Sequence, residues 1–213
     1  MQLYRNNFYD FRFITSNAFL YASKDGRNPN FEELNLLLKS IRNIIKDRGR
    51  IFFGTFPSEV RPEHVNDETI ALIKRYANNN NIIIGCQSGS DKILKICNRQ
   101  HKVDDIYNAV KFAIKNNIIP NLDFIFGLPG EDNDTLNDSL NVINDLTKLG
   151  AKIHGHIFIP LPGTPFWDMD IEDIPLDLIH KLELLCSRGL MYGQWRKQLL
   201  LREEVRSLKH LFG

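Results

Sequence analysis

Residues Asp123–Asp132 read DFIFGLPGED, and His156–Pro165 read HIFIPLPGTP. Each is an apolar strand-like run that breaks into Leu-Pro-Gly, and the pairs Ile125–Phe126 and Ile157–Phe158 lie 32 residues apart. Pro fixes φ and Gly lets backbone approach a neighbour closely, so both stretches predict a strand ending in a tight corner. The spacing is that of one strand–helix unit with its loops.

The same period extends outward. FRFIT at 11–15, RIFFGT at 50–55, NIIIGC at 81–86, LDFIFG at 122–127 and KIHGHIFI at 152–159 are short runs rich in β-branched and aromatic residues. Helical spacing separates them. In 31–46, Phe31, Leu34, Leu38, Ile41 and Ile45 recur at steps of three or four, with Asn30 and Glu33 as an N-cap pair. Segments 66–78, 104–116 and 134–149 also read as helices, the last running from a cap at Asp134 to Gly150 at C′. The short run Asn78–Asn81 reads as a turn before a strand.

Alternating strands and helices without hairpin turns predict parallel crossovers, in an open sheet or a barrel. Both architectures bind ligands at the carboxyl ends of the strands, so the two Leu-Pro-Gly corners are expected side by side on that face. Residues 175–213 predict two helices packed outside this core.

Composition narrows the function. Lys+Arg at 27 against Asp+Glu at 26 gives no electrostatic support for a nucleic-acid or anionic-membrane partner. No apolar run approaches the ~20 residues of a membrane span, and the first ten residues lack a signal-peptide core, so a cytoplasmic protein is expected. Cys86, Cys97 and Cys186 form neither CxxC nor CxxxCxxC, and structural thiols are the simplest reading.

One stretch points to a ligand. Gln87, Ser88, Gly89 and Ser90 follow an apolar strand and precede the helical run DKILKIC at 91–97, so hydroxyl, amide and backbone N–H groups meet at a helix start. Such a corner suits a carboxylate or phosphate; the alternative is a Ser/Gly-rich cap without ligand. His154 and His156 share one strand face, a spacing that permits metal ligation, but the sequence shows no third ligand and a barrel-lining role is simpler.

Residues 50–166 resemble the later part of the barrel of radical S-adenosylmethionine (radical SAM) enzymes. The resemblance is to the branch that holds tRNA methylthiotransferases and radical SAM proteins with an upstream cobalamin-binding domain. It rests on four motifs in order: Gln87–Ser90 as Q-S-G-S, Asn98–His101 as N-R-x-H, Phe126–Glu131 as F-G-x-P-G-E, and Pro162–Pro165 as P-G-T-P. The resemblance implies an α/β fold, a partial TIM-type barrel of about five parallel strands with the first strand missing. It implies residues 1–170 as that barrel and 171–213 as a helical extension.

It also implies cofactors: SAM, a 4Fe-4S cluster held by a CxxxCxxC loop, and cobalamin in some members. An electron from the cluster splits SAM to a 5′-deoxyadenosyl radical, used for methylation, methylthiolation or other C–H functionalisation of a substrate the sequence does not identify. By position, Gln87, Ser88, Gly89 and Ser90 would hold the methionine carboxylate or ribose. Phe126, Gly127 and Leu128 would line the adenine, with His156 and Phe158 approaching from the next strand and Asp123 as a further candidate.

The departures carry equal weight. CxxxCxxC does not occur in these 213 residues, so cluster ligands are expected upstream, the chain is expected to be a fragment of a longer protein, and it is expected to be inactive alone. Elongator-type relatives carry Glu two residues before the Gly that precedes Q-S; here that residue is Ile83. Two other readings stay open: a cluster-free barrel that binds a phosphorylated metabolite, and a non-catalytic scaffold for a nucleotide or a partner.

Overall fold

The computed structural model describes residues 2–169 and 173–212. It divides into two compact units, one of residues 1–85 with 104–121 and one of residues 86–103 with 122–213. The corners at 87–90, 128–130 and 161–163 all fall in the second.

The first unit begins with the one-turn helix α1 (Gln2–Arg5) and strand β1 (Asp10–Arg12), then α2 (Phe31–Ile45), β2 (Arg50–Phe52) and α3 (Asp67–Tyr76). β1 and β2 pair in parallel, Phe11 opposite Ile51. α2 starts where expected because the Asn30 side chain accepts from Glu33 N–H, satisfying one of the free donors of the first turn. Asn66 caps α3 in a reciprocal box with Thr69.

The asparagine run at 78–81 does more than turn the chain. Asn78 Oδ1 accepts from Ile51 N–H at 2.9 Å, and the Asn79 amide both accepts from Phe53 N–H at 3.1 Å and donates to Phe53 O at 2.7 Å. Side-chain amides thus supply the ladder bonds that a strand neighbour would give β2. Beyond them, β3 (Asn81–Gln87) meets Val60 in a single parallel bridge at Ile84.

Strand β3 and strand β4 (Ile119–Phe126) start in the first unit and finish in the second. Between them run α4 (Asp91–Ile96) and α5 (Val103–Lys115); then come α6 (Asn133–Lys148), β5 (Lys152–Ile157), α7 (Leu176–Ser187), β6 (Met191–Tyr192) and α8 (Trp195–Phe212). The sheet order is β3-β4-β5-β6, and β5 pairs in parallel with β6, Ile153 opposite Met191 and His154 opposite Tyr192.

Two expectations change. Six strands are present among the described residues rather than about five: β6 lies inside the segment expected to be wholly helical, and at two residues it carries no periodic signal. The strands form a two-stranded and a four-stranded sheet rather than a closed barrel. In addition, α6 is capped by Asp132 rather than Asp134, because Asp132 and Thr135 form a reciprocal capping box.

Burial alternates along β4 and β5. Leu122, Phe124, Phe126, Ile153 and Ile157 are buried on one face, while Asp123, Ile125, His154 and His156 are half-exposed on the other. β6 is too short to pair with the end of β5. There α8 takes over: Gln198 Oε1 accepts from Ile157 N–H at 3.0 Å, and Arg202 Nη1 donates to Phe158 O at 2.7 Å. No helix among the described residues is long and apolar enough to cross a membrane.

Candidate functional site

The corner after β4 is built around a carboxylate. Gly127, at φ +75°, turns the chain so that its own N–H and that of Leu128 both donate to Glu131 Oε2, at 2.5 and 3.0 Å. Glu131 Oε1 is buried without a hydrogen-bond partner. Burial pushes the Glu131 carboxyl up to about 7, against the downward pull of the two N–H donors and of the Arg202 guanidinium. A cavity of about 450 Å³ opens beside the corner, lined in part by Gly127, Leu128, Glu131, Asp168, Ile174 and Arg202.

The corner after β3 is closed from within. Gln87 takes a left-handed conformation at φ +69° and is half-exposed, while Ser88 and Ser90 are buried. Gly89 N–H donates to Ser139 Oγ of α6 at 2.9 Å, Ser88 Oγ lies 3.2 Å from Ser139 Oγ, and Ser90 N–H donates to Ser88 Oγ at 3.2 Å. Gly89 sits so close to α6 that an added Cβ would lie 2.6 Å from Ser139 Cα. These N–H groups are spent on the chain itself, which leaves the Gln87 side chain as the half-exposed polar group of the corner.

The half-exposed face of β4 and β5 gathers the remaining candidates. Asp123 Oδ1 lies 2.9 Å from His154 Nδ1 and 4.0 Å from His156 Nε2, and the two imidazole nitrogens are 3.2 Å apart. The His154 ring stacks on Tyr192 of β6, with centroids 4.8 Å apart and planes at 13°. Burial and the neighbouring His154 hold the His156 imidazole below its usual pKa, although Asp123 acts in the other direction. Phe158 is half-buried, edge-on to Phe166 at 5.8 Å. Phe126 is fully buried, so only its backbone is open to a ligand, and its carbonyl already accepts from Phe158 N–H at 2.8 Å.

Of the residues singled out from sequence, the structure therefore assembles Phe126, Gly127, Leu128 and Phe158 around one corner, and Asp123 with His156 on one face. Gln87–Ser90 form a separate corner braced by α6. The second Leu-Pro-Gly, at 161–163, is exposed and adds nothing to the cavity, though Asp168 and Met169 just beyond it do. Sequence reasoning missed Glu131, Ser139, Gln198 and Arg202. Glu131 was visible as the end of the F-G-x-P-G-E run; the others lie on helices whose docking no linear pattern announces.

The thiols do not fit an iron–sulfur cluster. Cys86 is buried in β3, Cys97 follows α4 with burial pushing its thiol up, and Cys186 Sγ accepts from Trp195 Nε1 at 3.4 Å. No group of them converges among the described residues.

The family model described as the radical SAM superfamily matches residues 12–143. Among curated proteins, the chain is 29% identical over 138 residues to an uncharacterized protein of Methanocaldococcus jannaschii, covering 65% of this chain and 26% of that protein. It is 29% identical over 171 residues to a tRNA-2-methylthio-N(6)-dimethylallyladenosine synthase of Photobacterium profundum, covering 78% and 33%. The chain thus spans about a quarter to a third of the length of these relatives.

Among solved structures, it resembles the radical S-adenosylmethionine methyltransferase TsrM from Kitasatospora setae, with cobalamin and a 4Fe-4S cluster bound, at TM-score 0.58 and 17% identity over 78% of this chain and 31% of that one. It also resembles the coproporphyrinogen III oxidase of Escherichia coli, at TM-score 0.57 and 19% identity over 75% and 38%. At such identities the likeness is one of fold.

Proposed function

The chain belongs to the radical SAM superfamily, and from that membership we propose that it is the SAM-binding later part of a radical SAM catalytic core. The match over residues 12–143 carries this reading, together with the chemistry of the half-exposed face of β4 and β5. That face fits a nucleoside: the Phe158 ring offers apolar surface, Gly127 and Leu128 bring backbone close, and Asp123 and His156 offer polar atoms toward ribose. Gln87 reaches a ligand from the corner after β3, and Ser88, Gly89 and Ser90 brace that corner against α6.

When bound beside a reduced 4Fe-4S cluster, SAM supplies a carbon-centred radical able to abstract hydrogen. The chain's own residues bind and orient the nucleoside and keep water from it. They do not bind the cluster, whose ligands must come from a CxxxCxxC loop that these 213 residues lack. The reaction class is C–H functionalisation, and its substrate is set by residues beyond this face. Cobalamin is bound in the TsrM structure, whose likeness to this chain is one of fold.

The test is ligand-observed NMR with S-adenosylhomocysteine, and a sugar phosphate as control. Saturation transfer to the adenine protons, lost in Phe158→Ala and Leu128→Asp, is expected. Transfer to the sugar phosphate alone, or to neither ligand, would overturn the reading.

A further inference from the structure

We infer that Asp123, His154 and His156 form a binding site for a first-row divalent cation, on the half-exposed face of β4 and β5 and independent of any iron–sulfur cluster. All three residues lie in the second compact unit. Two histidines two apart on one strand must share a face, and Asp123 of the neighbouring strand supplies the third donor that the linear sequence did not reveal.

Geometry carries the inference. The three candidate donor atoms, His154 Nδ1, His156 Nε2 and Asp123 Oδ1, are 2.9, 3.2 and 4.0 Å apart. A triangle with those sides is acute, and the point equidistant from its corners lies about 2 Å from each, the length of a Zn–N or Zn–O bond. A cation at or slightly above that point reaches all three without movement of the strands. Its remaining positions face outward, because the side chains are 15% (Asp123), 24% (His154) and 27% (His156) exposed.

Proton counting supports a cation over hydrogen bonds alone. Gln198 Oε1 is committed to Ile157 N–H, so its Nε2, 3.3 Å from His156 Nδ1, faces that nitrogen as a donor. His156 must then carry its proton on Nε2 and direct it at His154 Nδ1. That one nitrogen is also 2.9 Å from the Asp123 carboxylate, which only accepts. A single ring nitrogen cannot accept from His156 and donate to Asp123 at once. A cation removes the conflict, since all three atoms then offer lone pairs. His156 then carries its proton on Nδ1, where Gln198 Nε2 now lies, so the Gln198 amide turns to present Oε1 to it and becomes the outer partner that a ligating imidazole usually has.

The donor set of two imidazoles and one carboxylate suits Zn²⁺, Fe²⁺, Co²⁺ or Mn²⁺ rather than Ca²⁺ or Mg²⁺, and its open positions would admit a water or a substrate oxygen.

The experiment uses the untagged chain, stripped with chelator and titrated with Co²⁺, which reports through its visible spectrum. One equivalent is expected to bind. Asp123→Asn and His154→Ala should each weaken binding at least about ten-fold, and Gln198→Leu, which keeps every ligand, by about ten-fold. Circular dichroism melts identify variants that have lost the fold. X-ray absorption of the cobalt-loaded wild-type chain does not depend on any variant: two imidazole nitrogens with oxygen and no sulfur are expected. Absence of stoichiometric binding, sulfur ligation, or folded variants that bind as well as wild type would each overturn the site. Asp123 and His156 are also the polar atoms offered to ribose, so S-adenosylhomocysteine transfer is read on the metal-stripped chain: loss of cobalt binding with transfer intact sinks the cation site alone, and loss of transfer with cobalt bound sinks the nucleoside reading alone.

Discussion

Arg202 Nη1 donates to the carbonyl of Gly127 at 3.1 Å, across 75 residues of sequence, and the same nitrogen donates to Phe158 O. The corner after β4 and the end of β5 are therefore fixed to one buried guanidinium on α8. Replacing Arg202 with Met should cost about 2–4 kcal/mol, because two carbonyls lose their donor and Glu131 loses a nearby positive charge. Urea unfolding measures the loss, and limited proteolysis should show faster cleavage within α8.

Gly127 allows no side chain. Its φ of +75° disfavours any L-residue, and an added Cβ would lie 2.5 Å from Ile174 Cδ1 and 2.8 Å from Arg202 Nη1. The Ile174 end can yield, but the buried guanidinium cannot. Gly127→Ala should lower stability by about 1–3 kcal/mol, read from the shift in the denaturation midpoint.

Glu131 makes stability depend on pH in the direction opposite to most carboxylates. Its folded-state pKa, about 7, lies above the ordinary 4.5, so between those values the folded chain holds a proton that the unfolded chain has lost. The contribution is fully present below pH 4.5 and is lost as pH rises to 7, by about 2–3 kcal/mol. Glu131→Gln should flatten this slope. Chemical denaturation of both proteins at pH 5 and pH 8 checks it: the variant's advantage should be larger at pH 8.

Ser139 is the brace of the corner after β3. Ser139→Ala leaves the buried Gly89 N–H without its acceptor and should cost about 1–3 kcal/mol. Gly89→Ala, whose Cβ would meet the backbone of α6 at 2.6 Å, should be worse than Ser139→Ala. Thermal melts of the two variants test the order.

Much of this architecture is readable from the linear pattern. The runs at 11–15, 50–55, 81–86, 122–127 and 152–159 each contain residues of a strand, and the caps at Asn30 and Asn66 are where hydrogen-bonding side chains precede apolar periodicity. What escaped has physical causes. Met191–Tyr192 is too short for alternation to register. The approach of Asp123 to His154 depends on how two strands align, information that neither strand holds by itself. The Ser/Gly corner reads as open to a ligand because composition cannot reveal that Ser139, 50 residues beyond Gly89, consumes its donors.

The role of α8 beside β5 bears on how the chain behaves in company. A strand in that place would present a fresh row of N–H and C=O groups to the next molecule, whereas Gln198 and Arg202 satisfy Ile157 and Phe158 from a helix that offers no template. Were α8 to peel away, the exposed margin of β5 would invite the same margin of another copy, so its attachment guards against aggregation as well as unfolding.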